Sequence, residues 1–505
     1  MTKVLFIPLD ERPCNYAYPI RLFDYVTDDQ IISLPPELLG YRKHGANVEL
    51  IRQFIDDNVR TAHVLVFSTE MVMFGGLLPS RVYDPVKQAP NIQKYEQFLT
   101  NLRQKYPGLK IFVSNLIMRT PRYSSGDEEP DYYEQYGKEI FRRAWLNNKS
   151  ERASLTAQEK EELDDLQSTI PAAVIADYEG RRKLNLAVNL ANVALVQQGI
   201  IDYLTIPQDD SAEYGYTAQD QAVVYGRVKM LRLQNRISIY PGADESGYTL
   251  LARAVQHGAD RQTKIYPLYA SPSGALTIPL YEDRPLNQTV EAHILAAGAL
   301  PVEIPAEADV ILAVNTPGNR MIEASSQRSQ PELTYDTYRN LRGFVAKIKM
   351  YLSQKKCVAI ADSGYANGGD LELAGMLEQA GLIDQLAALR AWNTDANTVG
   401  STIATAIILR HATQRDRYQE LLSCFLDDYC YQAIIRQQTV KNLLPALGLN
   451  YFNLGEQSKQ VADYVTEQTV EVAKTFLPSQ MATLTPTKIS ISFPWNRMFE
   501  VNARL

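Results

Sequence analysis

The sequence predicts an α/β fold. The first expectation is a (β/α)8-like barrel with a long helical insertion and a C-terminal helical subdomain. Open, doubly wound parallel sheets in two domains are the alternative. Three observations lead there. Short apolar runs alternate with amphipathic helical stretches along most of the chain. The runs are continuously apolar rather than alternating, as in parallel strands buried on both faces. Acidic and amide residues recur just after the runs, and ligands collect at the C-terminal ends of parallel strands in barrels and open sheets alike.

In chain order, the first strand is expected over residues 4–9, followed at once by Asp10-Glu11-Arg12. Further strands are expected at 30–34, 64–68, 111–116, 203–206, 237–240, 264–269, 310–314, 358–361 and 389–392. Between them, Val48, Ile51, Ile55 and Val59 lay one apolar stripe along a helix over 47–59. Residues 248–255 and 371–380 read similarly. Residues 119–201 are polar, tyrosine-rich and mainly helical, and an insertion of that length at the strand ends suits a lid or specificity element. A second polar connection spans 318–340. From about residue 415 the pattern is mostly helical and finishes in 489–497. The expected domains are therefore 1–414, with the insertion at about 119–201, and 415–505.

The 505 residues are 45% apolar and 22% charged, enough to bury a full core. A net charge of -7 argues against nucleic acid or an anionic membrane as the main partner. The four cysteines show no CxxC spacing and make no disulfide framework. The chain enters a strand within three residues, without a basic and apolar leader, and no apolar run reaches the ~18 residues of a membrane span. The expectation is a cytoplasmic protein with a small-molecule or oligosaccharide substrate. The sequence does not fix the oligomeric state.

The chemistry is expected at the strand ends. Pro207 cannot donate to a sheet ladder, so the chain is expected to leave the strand there, and Asp209 and Asp210 can then face one site. Two adjacent carboxylates do not ionise independently, which sets a general acid beside a charged stabiliser. Asp244 and Glu245 lie in a turn before a helix, where Asp244 or Ser246 can also serve as its N-cap. Asp10 and Arg12 form either an internal ion pair or a grip on a substrate oxygen. Asp362 and Asn367 are ligand candidates in a glycine-rich loop, whereas Asp370 reads as the N-cap of 371–380. Asn315 and Glu70 are further strand-end candidates. Trp392 and Asn393 suit a sugar ring and its hydroxyl, or a core tryptophan and a helix cap.

Histidine is scarce, at five residues, and no HExxH or His/Cys cluster occurs, which disfavours zinc. There is no GxSxG elbow, no GxGxxG after the first strand, no EF-hand spacing and no P-loop. No cofactor is expected. An oxygen-only Mg²⁺ or Mn²⁺ site belongs to the alternative of a metal-dependent hydrolase or lyase acting on a small polar metabolite.

Several segments together resemble a bacterial family known only as domain of unknown function 4127. They are Asp10-Glu11-Arg12-Pro13-Cys14-Asn15, Gln208-Asp209-Asp210-Ser211-Ala212-Glu213-Tyr214-Gly215, Pro241-Gly242-Ala243-Asp244-Glu245, Tyr365-Ala366-Asn367-Gly368-Gly369-Asp370, Trp392-Asn393-Thr394 and Pro494-Trp495-Asn496-Arg497. That likeness spans nearly the whole chain and implies no activity. The Asp pair after a mid-chain strand also resembles the layout of glycoside hydrolase family 84, barrels that act on β-linked N-acetylglucosamine through the substrate's own acetamide. The likeness implies that Asp209 orients the acetamide and Asp210 donates the proton. The turn at 241–245 matches that family only in part. The leading expectation is thus a glycosidase-like hydrolase acting on a sugar, N-acetylated sugars included. A non-catalytic carbohydrate-binding protein is a further alternative.

Overall fold

The apolar runs become parallel strands divided between two sheets. A computed structural model describes residues 2–26, 28–82, 92–259, 261–481 and 489–505. The first sheet holds β1 (Lys3–Ile7), β2 (Gln30–Ser33), β3 (Val64–Ser68), β4 (Lys110–Ser114), β5 (Tyr203–Gln208) and β6 (Ile237–Pro241), in the order β2-β1-β3-β4-β5-β6. The second holds β7 (Lys264–Tyr269), β8 (Leu300–Pro301), β9 (Val310–Asn315), β10 (Cys357–Asp362) and β11 (Ala388–Arg390), in the order β11-β10-β9-β7-β8. Every pairing within these two sheets is parallel. The α/β class with parallel sheets is therefore as predicted. The pairings leave β2 and β6, and β8 and β11, as sheet edges, so open sheets describe the strands and the closed ring does not.

Counted from its own first strand, each sheet runs second-first-third-fourth-fifth, and the first sheet adds a sixth. No period in the sequence betrays this repetition. Each sheet has a switch point, β1/β3 and β7/β9, where the order of connection reverses, and in open sheets ligands favour the strand ends near such points.

The chain makes two compact units. One comprises Met1–Glu11, Asp29–Leu250 and Tyr281–Asp283, and the other Arg12–Asp28, Leu251–Leu280 and Arg284–Leu505. In the first, Leu5, Leu65, Phe67, Ile111, Val113 and Leu204 of the strands pack with Ile51, Ile55, Leu99 and Val196 of the helices. Burying each such side chain contributes on the order of 2 kcal/mol. The predicted helix over 47–59 forms as Val48–Asn58, capped by Asn47, whose Oδ1 accepts from the Glu49 and Leu50 amides at 3.0 and 3.4 Å. The insertion contributes the helices Tyr133–Arg152, Ala157–Thr169 and Ala172–Gln197, the second opened by a reciprocal Thr156/Glu159 capping box.

In the second unit, Ile311, Ile360 and Leu389 pack with Phe344 and Leu377, and with Leu422, Phe425 and Val465 from the C-terminal helices. Residues 415–505, expected as a mainly helical C-terminal subdomain, contribute to this core and lie in this unit; 482–488 fall outside the described residues. Here helix Gln414–Phe425 runs into a ten-residue π-helix, Leu426–Ile435, and the short strands β12 (Ser490–Ser492) and β13 (Asn502–Arg504) pair antiparallel. Among the described residues no helix is long and apolar enough to cross a membrane.

Candidate functional site

In the first unit the end of β5 is the point of interest. Pro207 lies within the strand, paired with Tyr240, and its carbonyl accepts from the Ile117 amide at 2.8 Å. The expectation that the chain leaves the sheet at Pro207 is corrected: the missing amide forfeits one ladder bond near the strand end and does not end the pairing. The strand stops at Gln208, and Asp210 takes a left-handed backbone, φ +43°. Asp tolerates that conformation better than most residues, and the turn breaks the alternation that would send adjacent side chains to opposite faces.

Two arginines meet the pair. Arg81, from the short helix Leu77–Val82, donates from Nη2 to Asp209 Oδ2 at 2.6 Å. Arg119, beyond β4, has its Nη1 3.4 Å from Asp210 Oδ2. Glu128 and Glu129 bridge the two guanidiniums. Glu128 Oε2 accepts from Arg81 at 3.2 Å and from Arg119 at 2.5 Å, and Glu129 Oε1 accepts from them at 3.3 and 2.9 Å. The Tyr123 hydroxyl accepts from Arg119 at 3.4 Å, and that tyrosine is 41% exposed. Four carboxylates against two guanidiniums leave excess negative charge. Burial pushes the Asp209 carboxyl up to about 7 against the pull of Arg81, and the charge of Asp210 adds to the rise. Arg119 stays charged despite burial, because Tyr123, Glu128 and Glu129 surround it. The side chains of Asp209 and Asp210 keep 14% and 21% exposure, so solvent reaches both.

The other predicted residues of this unit are more enclosed. Asp10 is buried just beyond β1. Glu70 is buried and accepts from Ser68 Oγ, Asn115 Nδ2 and the Leu116 amide at 2.6, 2.9 and 2.8 Å, which ties the end of β3 to the end of β4. Asp244 and Glu245 are buried, and Glu245 Oε2 accepts from the Ala243 amide at 2.8 Å. The helix after them begins at Ser246, earlier than predicted, and the Ser246 hydroxyl has no partner among the described residues, so it is not the cap.

The remaining predicted residues belong to the second unit. The Arg12 guanidinium stands 4.7 Å from the Trp495 ring centre. Asp362 is saturated: Asn315 Nδ2 and the Gly364 amide donate to Oδ1 at 2.7 and 3.3 Å, and the Asp370 amide and Tyr429 hydroxyl donate to Oδ2, both at 2.8 Å. Burial pushes its carboxyl up to about 6, with Asp370 adding to the rise. Asp370 is the predicted N-cap, accepting from the Glu372 and Leu373 amides, and it also pairs with Arg339 at 2.5 Å. Asn315 Oδ1 accepts from Arg339 at 3.2 Å. Asn367, at φ +58°, donates to Glu323 Oε2 at 2.9 Å. Trp392 is buried beside Asn393, which is also left-handed.

Sequence reasoning missed Arg81, Arg119, Tyr123, Glu128 and Glu129. The adjacent acids of the last two, early in the insertion, were the available signal. It also missed Asp395, buried at the start of helix Asp395–Ile408 beyond β11. Neither carboxylate oxygen of Asp395 has a hydrogen-bond partner among the described residues, and burial pushes the group up to about 7 against the pull of nearby Ser363 and His293.

Among the described residues no three or more His, Cys, Asp or Glu side chains are grouped to hold a metal ion, and Glu128 bridges the guanidiniums of Arg81 and Arg119 instead. No curated protein matches the chain. The family described as "Protein of unknown function (DUF4127)" matches residues 4–504, in keeping with the motifs that span these strand ends, and the chain belongs to that family.

Proposed function

We propose that the protein is a glycosidase-like hydrolase that acts by acid/base catalysis on a sugar substrate, N-acetylated sugars included. The observation that carries this reading is the neighbouring carboxyl pair at the end of β5, one member of which is held near neutrality. A carboxyl at about 7 is half protonated in neutral solution, so it can both give and take a proton. In this reading Asp209 carries the proton, and Asp210, facing Arg119, stabilises positive charge developing on the sugar. That exchanges the roles expected from the family 84 likeness. The exposed Tyr123 ring beside Arg119 offers an apolar face to a pyranose. A cytoplasmic setting is part of the proposal, resting on four cysteines that are all free thiols.

A panel of aryl glycosides, with and without a 2-acetamido group, tests it. At least one member should be cleaved. Asp209→Asn and Asp210→Asn should each lose about a hundredfold or more in kcat/KM while keeping the wild-type circular dichroism. Turnover undiminished in Asp209→Asn, or no cleavage of any glycoside, sinks the assignment. Chelation should leave the rate unchanged. A chelation-sensitive rate restored by Mg²⁺ or Mn²⁺ would favour the metal-dependent alternative.

A further inference from the structure

The second unit holds a cleft apart from the strand ends. Helix Ala17–Asp24, helix Gln414–Phe425 and β13 enclose a cavity of about 600 Å³. That volume suits a small molecule, for which pockets run from roughly 300 to 1,000 Å³. Its walls combine two kinds of group. Tyr18, Tyr25 and Tyr418 supply aromatic surface, and Arg21, Arg415 and Arg504 supply charge.

The three arginines are not equivalent. Arg21 is committed: its Nε donates to Glu420 Oε2 at 2.7 Å, and its guanidinium stands 4.7 Å from the Tyr18 ring centre. Glu420 is buried, and Arg21 holds its carboxyl below the usual range against the effect of burial. This pair therefore stays ionised and fixes the floor. Arg415 and Arg504 are exposed at the mouth, and neither guanidinium has a hydrogen bond, ion pair or ring contact with a described residue. The one carboxylate side chain in the lining is Asp24. Two forked donors without internal acceptors, opening beside tyrosine rings, match a ligand that has an anionic head and a flat body.

We propose that this cleft binds a small aromatic anion of the aryl phosphate or nucleoside monophosphate class, its phosphate gripped by Arg415 and Arg504 and its ring laid against the tyrosines. Guanidinium forks take a phosphate through paired hydrogen bonds, and ring–ring contact adds to that grip. The site is independent of the Asp209–Asp210 reading and stands or falls separately.

Calorimetric titration of the full-length protein tests it, with phenyl phosphate, inorganic phosphate, phenol and AMP as separate probes. Phenyl phosphate should bind saturably at one site, with inorganic phosphate and phenol each at least about tenfold weaker. Arg415→Ala and Arg504→Ala should each weaken phenyl phosphate about tenfold and together abolish its binding, with unchanged melting temperatures. Tighter binding of AMP than of phenyl phosphate would identify a nucleotide as the occupant; the reverse order would identify a simpler aryl phosphate. Binding of none of the probes, binding that survives the double variant, or inorganic phosphate matching phenyl phosphate would each overturn the proposal.

Discussion

At the scale of single residues, Asp209 is set by opposing neighbours. Burial and Asp210 raise its proton affinity, and Arg81 lowers it. If Asp209 carries the proton, kcat/KM for a cleaved glycoside should inflect near pH 7. Arg81→Gln removes the lowering influence, so the inflection should move upward, by about one unit; a shift downward would deny that Arg81 acts on Asp209 in this way. The Asp pair was legible in the sequence because two adjacent acids after an apolar run have few structural uses. Its arginines were not: Arg81 lies 128 residues from Asp209 and meets it only through the fold. Asp362 and Asn315 show the converse. An acid and an amide at strand ends look alike in sequence whether they face a ligand or each other, and here they bond each other.

Among the elements, the π-helix Leu426–Ile435 is the least common. Its wide turn lets successive residues reach different neighbours. Asp428 Oδ2 accepts from Arg390 Nε and the Ala391 amide at 3.0 and 2.8 Å, while the Tyr429 hydroxyl donates to Asp362. Tyr429→Phe keeps the ring stacked on Phe425 at 4.5 Å but takes one of four donors from a buried carboxyl. It should cost about 1–2 kcal/mol in urea unfolding and raise the Asp362 pKa further, so the loss should be larger at about pH 8 than at about pH 5. An equal loss at both would mean that the bond does not depend on the charge of Asp362. Most strands were legible from their continuous apolar runs, and Val48–Asn58 from its stripe and Asn47. The π-helix was not, because its side chains fit an ordinary α-helical pattern equally well.

For the molecule as a whole, sheet closure was illegible for a related reason. Strands buried on both faces read alike in a ring and in an open sheet, and only the pairings separate them. Nor did helical pattern reveal that residues beyond 415 share the second core. Burial raises the proton affinity of several carboxyls in the folded state: Asp209, Asp395 and Asp427 to about 7 and Asp362 to about 6, with Glu70, Asp220 and Asp428 raised as well. A group raised in this sense contributes stability that is complete below its unfolded value near 4 and is lost as pH rises through 6–7. Glu420 and Asp309, held low, act in the opposite sense and lose stability as pH falls. The melting temperature should therefore peak at about pH 5 and decline toward about pH 8, and Asp395→Asn should shrink that decline. A melting temperature that rises steadily to pH 8 would contradict the raised values. The interleaving of the two units also bears on synthesis. Tyr18, in helix Ala17–Asp24, bonds the Val501 carbonyl and the Ala503 amide, 483 and 485 residues further along the chain. At about 5–20 residues per second, roughly 20–100 s separate their synthesis. Throughout that interval the Tyr18 hydroxyl lacks both of its partners, and helix Ala17–Asp24 offers a chaperone the apolar face of Tyr18, Leu22 and Phe23.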